Sequence, residues 1–407
     1  MDKVLIIGCT ETTKVLVPAL VKDTKLVSEL CVASKTKEEC DEYRKKYMGA
    51  PVRIITAGID VTNEEKTLLM MRIFGPSLII NLAPSRLNKT IMEIALKIGA
   101  SYIDTSYTDE TGDTSIIDQQ FELSSQFYAK KLVCITGCSF NPAAYVTLTR
   151  LILNRRMLDT ISGVDIIKID STKNDSGVSL PSVAEIKKLH EDSRVLEDGE
   201  LKTMEALKYK TTRTFPGLGR RTLYAFDNSV IDSYKRGMPD IKNVRYFSSL
   251  RKPHLTLVNT LKKIGMISTE PISIKGVKIS PLEYLEEVMP KPEDNASSHK
   301  GTVNIGLLAT GKKNGENKSV LMYFVSDQEK AYNEYGVTSL GLMSALTTLA
   351  CFKLVASKRW ANPGVFTPGD FEPEFLLNKM DELGLEYNTQ LDADPIVIEE
   401  VEEEQDD

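Results

Sequence analysis

Histidine is scarce in this chain: three among 407 residues, His190, His254 and His299. All three read as surface residues: His254 follows Lys252-Pro253 in a turn, and His299 lies in the loop Asn295–Lys300. Cys134 and Cys138 lie four apart at a strand end with no second cysteine pair, so no metal site is expected. The other cysteines, Cys9, Cys31, Cys40 and Cys351, bring the total to six. In a chain of this size they suit reduced thiols in a cytoplasm rather than a disulfide framework. No apolar run approaches the roughly 20 residues of a membrane span. Met1-Asp2-Lys3 leads straight into strand residues, so neither a signal peptide nor membrane insertion is expected. No basic stripe is interleaved with aromatics, which argues against nucleic-acid binding.

What remains is an ordinary globular composition, 42% hydrophobic and 27% charged, long enough for about two domains. The net charge of −6 is concentrated at one end: residues 391–407 carry nine acidic groups and no basic one, and the rest of the chain is positive. The run Glu399-Glu400-Val401-Glu402-Glu403-Glu404-Gln405-Asp406-Asp407 reads as a disordered solvating tail, with recruitment of a basic protein partner as the alternative.

The first strand organises the chain. Val4-Leu5-Ile6-Ile7 stops at Gly8, and an apolar-periodic helix begins soon after, which is the opening of a βαβ unit. A dinucleotide-binding turn would read G-x-G-x-x-G, because glycine lets backbone amides approach a pyrophosphate at the helix N-terminus. Here only Gly8 is glycine: Thr10 and Thr13 hold the second and third positions. Their side chains are expected to narrow a pyrophosphate site, and Glu11 to repel its charge. Cys9 stands at the helix N-terminus, where a thiol ionises more readily, or simply fills a tight turn.

Further strands are expected at Leu26–Ala33, Val52–Ala57, Ser77–Leu82, Ser101–Asp104 and Leu132–Thr136, alternating with helices that include Glu38–Met48, Thr90–Ile98 and Gln119–Ala129. Repeated βα units imply a Rossmann-type doubly wound parallel sheet. Ser34, Lys35, Thr36 and Lys37 after the second strand favour NADP(H) over NAD, or form a solvated turn. Asp60 after the third strand meets an adenine amine or caps a helix. Asn81 and Ala83 end the fourth strand, where a nicotinamide ribose would lie.

After Pro142 the pattern changes. Ile161–Ile169, Val244–Leu250, Ile272–Val277, Val303–Thr310 and Val320–Phe324 read as strands of a mixed sheet, with Lys312–Asn317 joining the last two as a hairpin. The expected organisation is a dinucleotide-type domain over 1–140, an α+β substrate and dimerisation domain over 141–340, a return to the first domain over 341–388, and the acidic tail over 389–407. The apolar helix Ser339–Ser357 is expected to be buried.

Several stretches together resemble the saccharopine dehydrogenase family, in particular its carboxynorspermidine/carboxyspermidine dehydrogenase branch. They include Leu82-Ala83 with Thr90-Ile91-Met92-Glu93, Tyr102-Ile103-Asp104-Thr105, Gly137-Cys138-Ser139-Phe140-Asn141-Pro142 and Phe215-Pro216-Gly217. Leu261–Pro271, Val277–Leu282, Lys300–Gly306, Trp360–Phe366, Phe371–Phe375 and Leu383-Gly384-Leu385 continue it, so that the likeness covers about residues 1–388. The resemblance implies a homodimeric, NADPH-using enzyme. Such enzymes reduce an imine formed between a diamine and an amino-acid semialdehyde, leaving a carboxylated polyamine.

The chain departs from that pattern at four places. The first turn, Gly8-Cys9-Thr10-Glu11-Thr12-Thr13, keeps only the first of its glycines. Cys138-Ser139-Phe140-Asn141-Pro142-Ala143 stands where relatives have Cys-Gly-Phe-Asp-Pro-Gly. Asn228-Ser229-Val230 follows Tyr224 where relatives have His-Glu-Glu, and about Ala345-Leu346-Thr347 replaces a Gly-Val-Pro. For an active enzyme the remaining candidates are Arg86, Lys89, Arg220 and Arg221 for a substrate carboxylate, and Tyr224, Asp227 and Asp104 for proton handling. The cofactor would lie on Gly8, Cys9, Thr10, Glu11, Thr12, Ser34, Lys35, Thr36, Asp60, Asn81 and Ala83. The rival is a family member without catalysis that serves as a binding or assembly protein.

Overall fold

The computed structural model describes residues 2–106, 115–174, 177–178, 182–226, 228–290 and 292–401. The chain divides into two compact units, residues 1–151 with 340–386, and residues 152–339 with 387–407.

The first unit is built on β1 (Asp2–Ile7), α1 (Glu11–Leu20), β2 (Val27–Ser34), α2 (Lys37–Lys46), β3 (Arg53–Gly58), α3 (Glu64–Phe74), β4 (Leu78–Asn81), α4 (Asn88–Ile98), β5 (Ser101–Asp104), α5 (Ser115–Phe121), α6 (Ser124–Ala129) and β6 (Val133–Ile135). A seventh strand, Gly364–Phe366, joins the far edge, giving the order Gly364–Phe366, β6, β5, β4, β1, β2, β3. All neighbours are parallel. Val4, Leu5 and Ile6 are fully buried, as befits a strand covered on both faces. Below them Ile91, Met92 and Ala95 of α4 close the core with Ile79, Tyr102 and Phe127. The large apolar side chains among them, Ile79, Ile91, Met92 and Phe127, each contribute about 1.5–3 kcal/mol on burial.

The chain lays down β1, β2 and β3 outward, then returns to place β4 on the other side of β1. That reversal opens a crevice beyond the carboxyl ends of β1 and β4, the place where open α/β sheets bind ligands. The expected helix Gln119–Ala129 is two helices, α5 and α6. Between them Leu123 turns into the core, its amide on the carbonyl of Gln120. The helix Ser339–Ala356 is long and apolar enough to cross a membrane by composition, and 72% of it is buried.

The second unit carries a ten-stranded mixed sheet. Its central ladder runs Tyr387–Leu391, Glu316–Asp327, Thr302–Lys313, β7 (Thr160–Asp170), Asn243–Ser249, Gly219–Ala225, Tyr209–Phe215 and Glu399–Glu400. Only β7 and Asn243–Ser249 pair in parallel. The expected hairpin is longer than the sequence suggested. Lys312 and Lys313 already pair with Asn317 and Glu316. Only Asn314 (φ 52°) and Gly315 (φ 84°) make the turn, the Asn-Gly pair that a two-residue hairpin loop favours. Ile272–Val277 is likewise not one strand but parts of a small hairpin, Ile272–Ile274 with Val277–Ile279.

The tail also needs correction. Far from being disordered from residue 389, the chain is ordered to Val401, whose amide donates to the carbonyl of Lys208 at 2.7 Å. Ala393 and Ile396 pack on Ile167, Phe215, Phe247 and Leu308. Ala393, Ile396 and Ile398 thus pack on one face of the sheet before most of the acidic run begins, and residues 402–407 lie outside the described residues.

Candidate functional site

At the carboxyl end of β1, Gly8 adopts φ +111°. A Cβ there would stand 3.1 Å from both the carbonyl carbon and oxygen of Leu82. The glycine is therefore demanded by the approach of the residue that follows β4, Leu82, whose amide donates to Ile7 O at 2.8 Å. Thr13 is fully buried. Its hydroxyl donates to Gly8 O at 2.8 Å and accepts the Thr10 amide at 3.1 Å. This corrects the expectation that Thr13 crowds a pyrophosphate: its side chain points into the turn. Thr10 is exposed.

The turn passes a direct test of fit for a dinucleotide. The amides of Cys9 and Thr12 make no hydrogen bond to the described residues, and they stand at the positive end of a ten-residue helix. Two open donors, a helix N-terminus and a crevice at the point of strand reversal suit a pyrophosphate.

At the end of β2 the picture is mixed. Ser34 is buried, and its hydroxyl donates to Thr36 O at 2.6 Å, so it is committed within the loop instead of facing a ligand. Lys35 and Thr36 are exposed. Asp60 accepts from the Thr62 amide at 3.0 Å and from the Thr62 hydroxyl at 2.6 Å. Those hydrogen bonds hold its carboxyl below the usual range, helped by Lys35. Asn63, not Asp60, caps α3, accepting from the Lys66 amide.

Two expected site residues are buried within the fold. Asn81 is fully buried. Its Oδ1 accepts the Ala83 amide at 3.0 Å and its Nδ2 donates to Asn88 Oδ1 and Tyr102 Oη, both at 2.8 Å. It shapes the Leu82-Ala83 turn and leaves Ala83, small and half-buried, to border the crevice. Asp104 accepts from Gly137 N at 2.8 Å, Gln120 Nε2 at 2.6 Å and Thr136 Oγ1 at 2.9 Å. Burial nevertheless pushes its carboxyl up to about 6. With every donor supplied by its own unit, Asp104 ties β5 to the segment after β6 instead of presenting an acid to a substrate. Gln120 and Thr136 were not singled out from sequence, since only the fold brings residues so far apart to one carboxylate.

Arg86 is exposed, while Lys89 pairs with Glu122 at 3.3 Å. In the second unit Arg220 is exposed and its carbonyl accepts from Arg221 Nη1 at 2.9 Å. Tyr224 is half-buried, which raises its phenol. It shares a row with Ser248 and Lys168 across three strands, and Lys168 is paired with Glu185 at 2.5 Å. Asp227 lies outside the described residues. A cavity of about 660 Å³ on this unit's sheet has the Asp165–Arg245 pair on its wall, joined at 2.6 and 2.9 Å, and none of the sequence-selected residues lines it. Among the described residues no cluster of three metal-binding side chains occurs.

Comparison with known proteins places this geometry. The chain is 24% identical over 394 residues to the carboxyaminopropylagmatine dehydrogenase of a Synechocystis species, covering 95% of this chain and 97% of that one. It is 22% identical to the carboxynorspermidine synthase of Vibrio cholerae, covering 90% and 92%. Among solved structures, apo saccharopine dehydrogenase (L-Glu forming) from Saccharomyces cerevisiae superposes with a TM-score of 0.73 at 14% identity, covering 97% of this chain and all of that one. Homospermidine synthase from Legionella pneumophila, solved with NAD, gives 0.61 at 12% identity, covering 96% and 91%. The profile of the saccharopine dehydrogenase NADP binding domain matches residues 4–135, and that of the saccharopine dehydrogenase C-terminal domain matches residues 184–386. With both of its units matched in order, the chain belongs to the saccharopine dehydrogenase family.

Proposed function

We propose that this protein is a nicotinamide-dependent oxidoreductase that reduces an imine formed between an amine and an amino-acid semialdehyde, giving a carboxylated polyamine-type product. The observation that carries this reading is the β1–α1 turn: left-handed Gly8, inward-turned Thr13 and the two open amides of Cys9 and Thr12. Relatives named for carboxyaminopropylagmatine and carboxynorspermidine support the substrate class.

In this reading the amides of Cys9 and Thr12 bind the pyrophosphate, aided by the α1 dipole. Ala83 keeps the end of β4 free of a side chain that would block the ribose. Lys35 favours a 2′-phosphate, and so NADPH over NADH. Arg86 offers a guanidinium to a substrate carboxylate. A bound nicotinamide would supply the hydride for the imine carbon. We also propose a homodimer and a cytoplasmic setting, for which the six free thiols are suited.

The test is a fluorescence titration with NADPH, followed by NADPH oxidation in the presence of a diamine and aspartate semialdehyde. Saturable binding with substrate-dependent oxidation is expected. No binding at millimolar NADPH overturns the enzyme reading. A second reading, a binding protein without catalysis, is favoured by one observation: Asn81 and Asp104, the polar side chains at the ends of β4 and β5, are both consumed inside the fold. Binding without turnover would support it.

A further inference from the structure

The first turn holds a second chemistry that cofactor binding does not use. Cys9 and Cys40 are 31 residues apart in sequence, yet their sulfurs lie 3.5 Å from one another. Cys9 is half-buried at the turn, and Cys40, in α2, is fully buried. Cys40 is held from behind: its Sγ lies 3.3 Å from Ser34 Oγ and 3.8 Å from Thr36 O. The side chains therefore face each other with no residue between them. A small displacement separates this contact from the roughly 2.0 Å of a disulfide bond.

We propose that Cys9 and Cys40 form a reversible disulfide that closes the dinucleotide turn under oxidation by a peroxide. The sulfur of Cys9, the more exposed of the two, attacks one peroxide oxygen. The O–O bond breaks, Cys9 becomes a sulfenic acid, and the released hydroxide takes the thiol proton to leave as water. The Cys40 sulfur then attacks the Cys9 sulfur, forming S–S and breaking S–O, and the leaving hydroxyl takes the Cys40 proton as a second water. Two thiols lose two electrons in all, and one hydrogen peroxide gains them. The contact sets the protonation of the reduced pair: contrary to what a helix N-terminus would suggest, the hydrogen bond to Cys40 and burial hold the Cys9 thiol above the usual range, while the same bond brings the Cys40 thiol down to about 7. A thiol of that acidity ionises readily near neutral pH.

Bridging draws Cys9 toward α2. Its amide is one of the two donors assigned to the pyrophosphate, so oxidation removes a ligand contact and stiffens the turn. This gating rests on the cofactor reading above, whereas the disulfide does not.

The experiment therefore has two arms on the full chain. In the first, protein treated with hydrogen peroxide is digested without reduction and mapped by mass spectrometry. A cross-linked pair of peptides containing Cys9 and Cys40, released by dithiothreitol and missing in Cys9→Ser, is expected. Recovery of Cys9 as sulfinic acid, or bridged to Cys31, with the Cys40 thiol intact, overturns the proposal. The map of the wild-type chain decides this even where Cys40→Ser does not fold. In the second arm, NADPH is titrated into reduced and oxidised protein. Affinity about tenfold weaker after oxidation, restored by dithiothreitol, is expected. Equal affinity overturns the gating. A chain that binds NADPH in neither state overturns the cofactor reading and the gating with it, while the peptide map still decides the disulfide.

Discussion

The hydroxyl of Thr13 donates to the carbonyl of Gly8 at 2.8 Å, closing the first turn from the inside. In a glycine-rich turn this position serves close packing of helix against strand, and here a threonine meets the same demand with a hydrogen bond. The same oxygen accepts the amide of Thr10, so one side chain satisfies a donor and an acceptor of the backbone. Thr13→Val keeps the shape and removes both partners. Leaving buried polar groups unpaired costs about 1–3 kcal/mol, so a matching loss in urea denaturation is expected, with Thr13→Ser close to wild type.

Gly8 gives a sharper test of the crevice. Any side chain there meets the Leu82 backbone at 3.1 Å while holding a φ of +111°, which L residues rarely adopt. Gly8→Ala is expected to cost at least about 1–3 kcal/mol and to abolish NADPH binding in the titration. Retained affinity would show that the nucleotide sits elsewhere.

The parallel sheet was legible because its strands are runs such as Val4–Ile7, buried on both faces and bounded by turn residues. Burial of that kind leaves its mark on composition. The hairpin at Lys312–Asn317 was legible for a local reason as well, since few dipeptides tolerate the two positive φ values that its Asn314-Gly315 turn uses. The site was less so. Asn81 and Asp104 have the right chemistry at the right strand ends, but whether such a side chain faces a ligand or its own fold depends on partners such as Asn88, Tyr102, Gln120 and Thr136 that only folding assembles. The Cys9–Cys40 contact is a meeting through space with no sequence spacing to announce it. The ordered stretch to Val401 was missed because the acidic residues dominated the reading, while Ala393 and Ile396 carry the packing.

Under the proposed function, Lys35 is the residue expected to decide cofactor choice. It is exposed at the end of β2 beside Asp60, and no other cation precedes it between the strand and Thr36. If it pairs with a 2′-phosphate, its charge-assisted hydrogen bond contributes about 1.5–3 kcal/mol. Lys35→Glu is then expected to weaken NADPH by about tenfold or more and to leave NADH nearly unchanged. Parallel titrations with the two dinucleotides check this, and equal losses for both would remove Lys35 from the 2′-phosphate.

Asp104 makes the fold's stability depend on pH in an unusual direction. A carboxyl that gains ion pairs on folding titrates lower than in the unfolded chain, and its contribution is lost in acid. Asp104 has hydrogen-bond donors but no cation among its partners, and its burial pushes it up to about 6, above the unfolded value of about 3.9. Between these two values the folded chain holds the Asp104 proton and the unfolded chain has released it. Stability from this group is therefore full below about pH 4, falls as pH rises, and levels off above about pH 6. At about 1.4 kcal/mol for each pKa unit, the change across the window is about 3 kcal/mol. Asn at this position cannot ionise, so the comparison isolates the group. Urea unfolding of wild type and Asp104→Asn across the window should give a stability difference, wild type minus variant, that falls by about that amount as pH rises. Other carboxylates contribute to both proteins and cancel. A difference that stays constant would mean that the Gly137, Gln120 and Thr136 hydrogen bonds hold Asp104 ionised in spite of its burial.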